Sequence, residues 1–182
     1  TLNKNNVQAS VRYKKVIKLN PPYQFAFNAK LNMAKAINIK NRGEVKNAKL
    51  VLRDMLRDDK NIEYFDQIYF ELGNLELADK NETGAALEYT NCLRSNGTDL
   101  GIKSNAYLAL ADIYFKKQDY ENAQVYYDSA ARTIDPTHPD YKKIQNKNLV
   151  LNELIKHLVN IKEKDSLLRL ADNEKLREKT ID

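Results

Sequence analysis

The sequence predicts an all-α chain built from stacked helix–turn–helix repeats, and two patterns carry that prediction. Ala9, Ala48, Ala85 and Ala123 recur at intervals of 39, 37 and 38 residues. Four residues after each stands a large side chain (Tyr13, Leu52, Tyr89, Tyr127), and three further on Val16, Met55, Cys92 or Ala130. Positions i, i+4 and i+7 share one stripe of a helix, so a single helix face is written four times. Upstream of three of these stripes sits a large residue followed by a small one: Met33-Ala34, Leu72-Gly73 and Leu110-Ala111, spaced 39 and 38 residues apart. The small residue lets a neighbouring helix approach and the large one fills the space beside it.

Taken in order, Val7 to Leu19 is the first predicted helix; it carries Ala9, Tyr13 and Val16 and stops at Asn20-Pro21-Pro22. No matching first helix precedes it. The chain is therefore expected to begin inside a repeat, with the missing partner helix supplied by residues ahead of Thr1. Phe25 to Asn38 is the next first helix and Glu44 to Arg57 its partner, broken apart at Gly43. Asp58-Asp59-Lys60-Asn61 then separates this unit from a first helix over Ile62 to Ala78, paired with Gly84 to Leu93. A turn at Ser95-Asn96-Gly97 and Gly101 leads to Lys103 to Lys117 and Asn122 to Ile134, which stop at Asp135-Pro136. Residues 1–22 thus read as a half repeat, followed by repeats over about 25–60, 62–99 and 103–137, together one array over 1–137.

Beyond Pro136 and Pro139 the pattern changes. Tyr141, Ile144, Leu151, Leu154, Ile155 and Leu158 form one face of a longer helix, and Asp165-Ser166 is expected to open a last helix over Leu167 to Lys179. Residues 138–182 are read as C-terminal helices that cap the exposed end of the array or dock another protein.

The order aromatic, Leu, small, aromatic, Ala, aromatic, Pro in Tyr107, Leu110, Ala111, Tyr114, Ala123, Tyr127 and Pro136 resembles the tetratricopeptide repeat, whose period is about 34 residues. The resemblance is sharpest from Ser104 to Pro136, good from Asp66 to Leu93 and weaker from Phe27 to Arg57, where two extra residues fall in the Ile39 to Glu44 turn. Glu76 departs from the pattern at the place of Tyr114. The resemblance implies a right-handed superhelix whose first helices line the concave side.

On that side each first helix presents a stripe at i, i+3 and i+7: Asn28, Leu31 and Lys35; Gln67, Phe70 and Asn74; Asn105, Leu108 and Asp112, with Lys116 at the edge. Amides and charges flanking an apolar residue suit a peptide backbone and one side chain, or are simply solvated. Lys35 is the one basic residue within these three stripes and Asp112 is acidic. An internal segment or a folded partner is expected rather than a terminal carboxylate.

A narrower resemblance runs over most of the chain. Val16 to Lys30 (VIKLNPPYQFAFNAK), Met55 to Asn61 (MLRDDKN), Asp66 to Tyr69 (DQIY), Leu108 to Phe115 (LALADIYF), Tyr126 to Ser129 (YYDS) and Asp165 to Ala171 (DSLLRLA) look like the repeat region of PorW/SprE-type lipoproteins. Those belong to the type IX secretion and gliding-motility apparatus of Bacteroidota. The resemblance implies a scaffold in that machine's assembly or coupling, on the periplasmic face of the outer membrane, held by a lipid anchor outside this chain.

Composition limits the alternatives. Eleven Tyr, no Trp, five Gly and four Pro fit packed helices with short turns. No apolar run approaches the roughly 20 residues that span a bilayer. The net charge of +5 hides an uneven spread: residues 1–60 hold 14 Lys or Arg against 4 Asp or Glu, residues 61–120 hold 5 against 10. A basic face can attract nucleic acid, but here the charges are dispersed round their helices, and solvated faces or an acidic protein partner account for them. Cys92 lies in the packed stripe and is read as a buried small hydrophobe. His138 and His157 share no partner set, and no phosphate-binding loop, nucleophile elbow or metal-ligand spacing is present. Neither catalysis nor a cofactor is expected. The functions that remain are a protein scaffold, a peptide-binding chaperone adaptor and, as the rival class, a nucleic-acid-binding repeat.

Overall fold

The structure, a computed structural model, describes residues 2–172. Among these the chain forms eight α-helices: α1 (Leu2–Lys18), α2 (Tyr23–Lys35), α3 (Arg42–Met55), α4 (Phe65–Ala78), α5 (Glu82–Arg94), α6 (Leu100–Lys116), α7 (Tyr120–Thr133) and α8 (Tyr141–Asp172). They pack mainly on their sequential neighbours, as stacked helical repeats do. The first helices α2, α4 and α6 also touch one another along the stack. No described helix is long and apolar enough to cross a membrane.

Two of the turns within a helix pair are copies of each other. After α4 and α6 the chain passes through Lys80 (φ 61) and Gln118 (φ 60) in the left-handed region. Asn81 N–H then bonds back to Glu76 O at 2.9 Å, and Asp119 N–H to Tyr114 O at 3.0 Å, satisfying carbonyls the helix end leaves over. The same Asn81 and Asp119 cap the next helix, accepting from Gly84 N at 3.0 Å and Asn122 N at 3.2 Å. The α2–α3 turn holds the two extra residues and is built differently: Asn41 caps Gly43 N at 3.0 Å, and Glu44 reaches back to Asn38 N at 2.9 Å.

The repeated stripes form the core between helices. Ala48, Ala85 and Ala123 are buried, as are Leu52, Tyr89 and Tyr127 and then Met55, Cys92 and Ala130. The fourth copy, on α1, is more open: Ala9 and Tyr13 are half-buried and Val16 is exposed. Ala34, Gly73 and Ala111 are all buried where paired helices meet. At Gly73 the helices leave no room for a side chain, for a Cβ there would lie 2.4 Å from Cε1 of Tyr89.

Most helix boundaries differ from the sequence reading by a few residues; α1, for example, begins at Leu2 rather than Val7. Helix α2 stops at Lys35 rather than Asn38. A 3-10 turn over Asp59–Tyr64 precedes α4; it is pinned by Asn61, whose amide donates to Met55 O at 2.7 Å while its oxygen accepts from the Tyr23 hydroxyl. Helix α6 starts at Leu100 because Asp99 caps it through Ile102 N at 3.1 Å. Most consequentially, Asp165-Ser166 opens no new helix: α8 runs unbroken through it. The Ser166 hydroxyl bonds the carbonyl of Lys162 at 2.8 Å, which is how a serine inside a helix behaves. The remainder of the expected Leu167 to Lys179 helix lies outside the described residues after Asp172.

The charge imbalance is partly consumed inside the chain. Lys49 on α3 bridges Glu76 at 2.9 Å and Asp79 at 2.5 Å. Arg53 pairs with both oxygens of Glu88, a buried carboxylate on α5. The basic first third therefore clamps onto the acidic middle. Helix α8 lays Ile144, Asn148, Leu151 and Ile155 against the preceding pair.

Candidate partner-binding groove

The inward stripes divide by geometry into residues that face solvent and residues that hold the fold. Asn28 and Lys35 on α2 are exposed, as are Asn105, Asp112 and Lys116 on α6. Leu31 is not part of that surface, being 3% exposed in the core with Phe27 and Ala34. The reason is angular. At about 100° per residue, Lys35 lies within about 20° of Asn28, whereas Leu31 is turned about 60° toward the side that Phe27 and Ala34 already occupy. Phe70 and Leu108, its counterparts, are half-buried and lean on the core. At Leu31 the expected apolar contact is thus taken up by the core, while Phe70 and Leu108 keep part of their surface open.

The last position of each stripe is decided by the partner helix. Asn74 accepts a hydrogen bond from the Tyr89 hydroxyl at 2.8 Å, and Asp112 accepts one from the Tyr127 hydroxyl. Each links the two helices of its repeat. In the α2–α3 pair the tyrosine is replaced by Leu52, which has nothing to donate, and Lys35 stands there instead. This coupling of Asn or Asp with Tyr, and of Lys with Leu, was readable across the repeats as a signal that two of the three polar residues are tethers.

Beside Asn74 lies a buried acid that sequence reasoning missed. Glu71 is 7% exposed and accepts from Asn74 Nδ2 at 3.1 Å. Burial raises its pKa above the usual carboxylate range, against the pull of the Asn74 bond and the Lys35 charge. Burial, with Glu71 nearby, likewise pushes the Tyr89 phenol upward. Gln67, on the preceding turn of α4, is half-buried and donates its N–H to the buried Asp66 at 2.8 Å.

At the far end Asp112 also meets Lys147 of α8 at 3.3 Å, and that ammonium sits 5.3 Å above the Tyr127 ring. Between α6, α7 and α8 a cleft of about 770 Å³ opens, with Phe115, Val150 and Leu154 as apolar walls and Lys143 and Lys147 on its rim. No protein-family model and no curated protein matches the chain. The groove is therefore read from its own chemistry.

Its exposed side chains are Asn28, Lys35, Asn105, Asp112 and Lys116. Cys92 is fully buried and its thiol is pushed up to about 12 by burial, with Asp66 adding to the shift; it stays protonated and unreactive. His138 accepts from Asp140 N at 3.1 Å within its turn, and His157 is exposed on α8. Among the described residues no cluster of His, Cys, Asp and Glu has the arrangement to hold a metal.

Proposed function

We propose that the chain is a tetratricopeptide-type array, wound as a right-handed superhelix, that works as a non-catalytic scaffold for protein partners. The observation that carries this reading is the row of first helices. Helices α2, α4 and α6 touch one another, and on that row Asn28, Lys35, Asn105 and Lys116 project into solvent from helices whose other faces are buried. The helices are preorganised, so a partner loses its own freedom on binding while the scaffold loses little.

The specific version of the proposal is a component in the assembly or coupling of a type IX secretion and gliding machine, held at the periplasmic face of the outer membrane by an anchor outside this chain. It is supported by the resemblance of Val16 to Lys30, Leu108 to Phe115 and Asp165 to Ala171 to the PorW/SprE repeat region.

Affinity capture from the native host, comparing wild type with Asn28→Glu/Lys35→Glu/Asn105→Glu, tests it. These side chains are exposed, so the variant keeps its circular dichroism. The expected result is a set of partners, secretion components among them, retained by the wild type and lost by the variant. Equal retention by both would remove the groove from the account, and capture without secretion components would remove the specific version.

A further inference from the structure

One inner stripe already holds a cation. Lys147 of α8 reaches Asp112 at 3.3 Å and lies 5.3 Å above the ring of Tyr127, whose hydroxyl donates to the same carboxylate. The middle repeat has like parts with the charge moved by one turn: Tyr89 donates to Asn74, Asn74 donates to Glu71, and the carboxylate is that of Glu71. There no cation arrives. Glu71 makes no ion pair among the described residues, and Lys35 of α2 attracts it only from beyond that distance.

The hydrogen bonds fix this carboxylate and leave half of it unused. The Tyr89 hydroxyl holds Asn74 Oδ1 at 2.8 Å, so the amide presents Nδ2 to Glu71 Oε2 at 3.1 Å. Glu71 Oε1 accepts from no protein group. It is not sealed away either, because among the described residues the side-chain polar atom both cut off from solvent and unbonded is Asn148 Oδ1. Oε1 therefore opens to the surface through the 7% of Glu71 that stays exposed. Four residues after Gln67 and three before Asn74, Glu71 stands within about 60° of both on α4, which puts the opening beside the inner stripe. The counterparts 39 residues before and 38 after are Asn32 and Ala109, so the charge belongs to the middle repeat alone.

A carboxylate withdrawn from water loses solvation that a single amide bond does not restore, and a cation brought to its free oxygen restores it. One oxygen suits one N–H donor. A metal ion would want several ligands, and no group of His, Cys, Asp and Glu among the described residues offers them.

We propose that Glu71 receives the side-chain cation, arginine or lysine, of a partner segment lying along the inner row. This rests on the reading of the chain as a protein-binding array and adds the chemistry of the segment it takes.

The probe is the capped peptide acetyl-GSARASG-amide, with a twin in which citrulline keeps the shape of arginine and drops its charge. Each is titrated into the isotope-labelled whole chain while the Nδ2 signals of Asn74 are followed by NMR. The arginine peptide is expected to shift these signals and to bind about tenfold more tightly than the citrulline twin. Glu71→Gln keeps an oxygen for Asn74 and is expected to bind the two alike. Lys35→Gln removes the nearest competing charge and is expected to bind the arginine peptide about threefold more tightly than wild type does, a gain that a misfolded protein cannot mimic. Equal binding of the twins to the wild type, binding of neither, or a preference for arginine that survives Glu71→Gln overturns the proposal. So does a wild-type dimer in sedimentation that Glu71→Gln dissolves, which assigns the cation to a second copy. In each of these cases the capture with Asn28→Glu/Lys35→Glu/Asn105→Glu still reports on the array reading independently.

Discussion

Gly73→Ala tests the claim that the small residue of each repeat is set by the large residue of its partner helix. A Cβ on Gly73 would stand 2.4, 2.6 and 2.8 Å from Cε1, Cδ1 and Cζ of Tyr89, against an ordinary carbon contact of about 3.5–4.0 Å. The ring must therefore move by about 1 Å. It is fully buried, its hydroxyl is tied to Asn74, and Phe70 lies against it at 5.6 Å between centroids. Overpacking such a site costs about 1–3 kcal/mol, and pulling the hydroxyl from Asn74 adds about 1 kcal/mol. Alanine's better helix propensity offsets about 1 kcal/mol. The net expectation is a destabilisation of about 1–3 kcal/mol in urea unfolding followed by circular dichroism. The other repeats supply the rescues: Ala34 coexists with Leu52, and Ala111 coexists with Tyr127 where Leu108 replaces Phe70. Gly73→Ala/Tyr89→Leu and Gly73→Ala/Phe70→Leu are thus expected to lose less than the sum of their parts. A Gly73→Ala protein as stable as the wild type, with no coupling to either position, refutes the reasoning.

Replacing Lys80 or Gln118 by Gly relieves a left-handed residue in each short turn and is expected to raise stability by about 0.5–1 kcal/mol by the same urea assay. Arg53→Leu leaves the buried Glu88 carboxylate without its counter-ion; solvent reaches the arginine, so the expected loss is about 2 kcal/mol, below that for a deeply buried pair. Arg53→Leu/Glu88→Leu is expected to recover most of it. Glu71 has a folded pKa raised above its ordinary 4.5, so its protonated form is favoured by the fold. Its contribution is most favourable at low pH and declines as pH rises from about 4.5 through the raised value. Glu71→Gln is expected to flatten that part of the stability profile measured by thermal melts from pH 4 to pH 8.

The repeat organisation was legible because packing writes the same small and large residues at a fixed period. Ala85, Tyr89 and Cys92 had to be buried together once they shared one helix stripe, and they are. The helix ends were less legible, since they depend on single capping bonds such as Asp99 to Ile102 N and on the Ser166 hydroxyl choosing a carbonyl of its own helix over a cap. The inner stripe was half legible. Asn28, Lys35, Asn105 and Asp112 are exposed and Leu31 is turned into the core by its own angle on α2, but the hydrogen bonds of Asn74 and Asp112 depended on the tyrosine that the second helix offered, which is a contact between stripes rather than a property of one. The Lys49 and Arg53 bridges were hidden for the same reason: composition shows an excess of charge, and only the stacking of α3 on its neighbours shows where it is spent.

Photo-crosslinking from single positions in the native host tests the central claim most directly. A photoreactive residue is placed in turn at Asn28 and Asn105 on the inner row and at Leu50 and Leu87, which are exposed on α3 and α5. The account predicts that one and the same partner protein is joined to both inner positions and to neither outer one. Crosslinks from Leu50 and Leu87 alone, or the same partner from all four sites, would contradict a scaffold that works through its first helices.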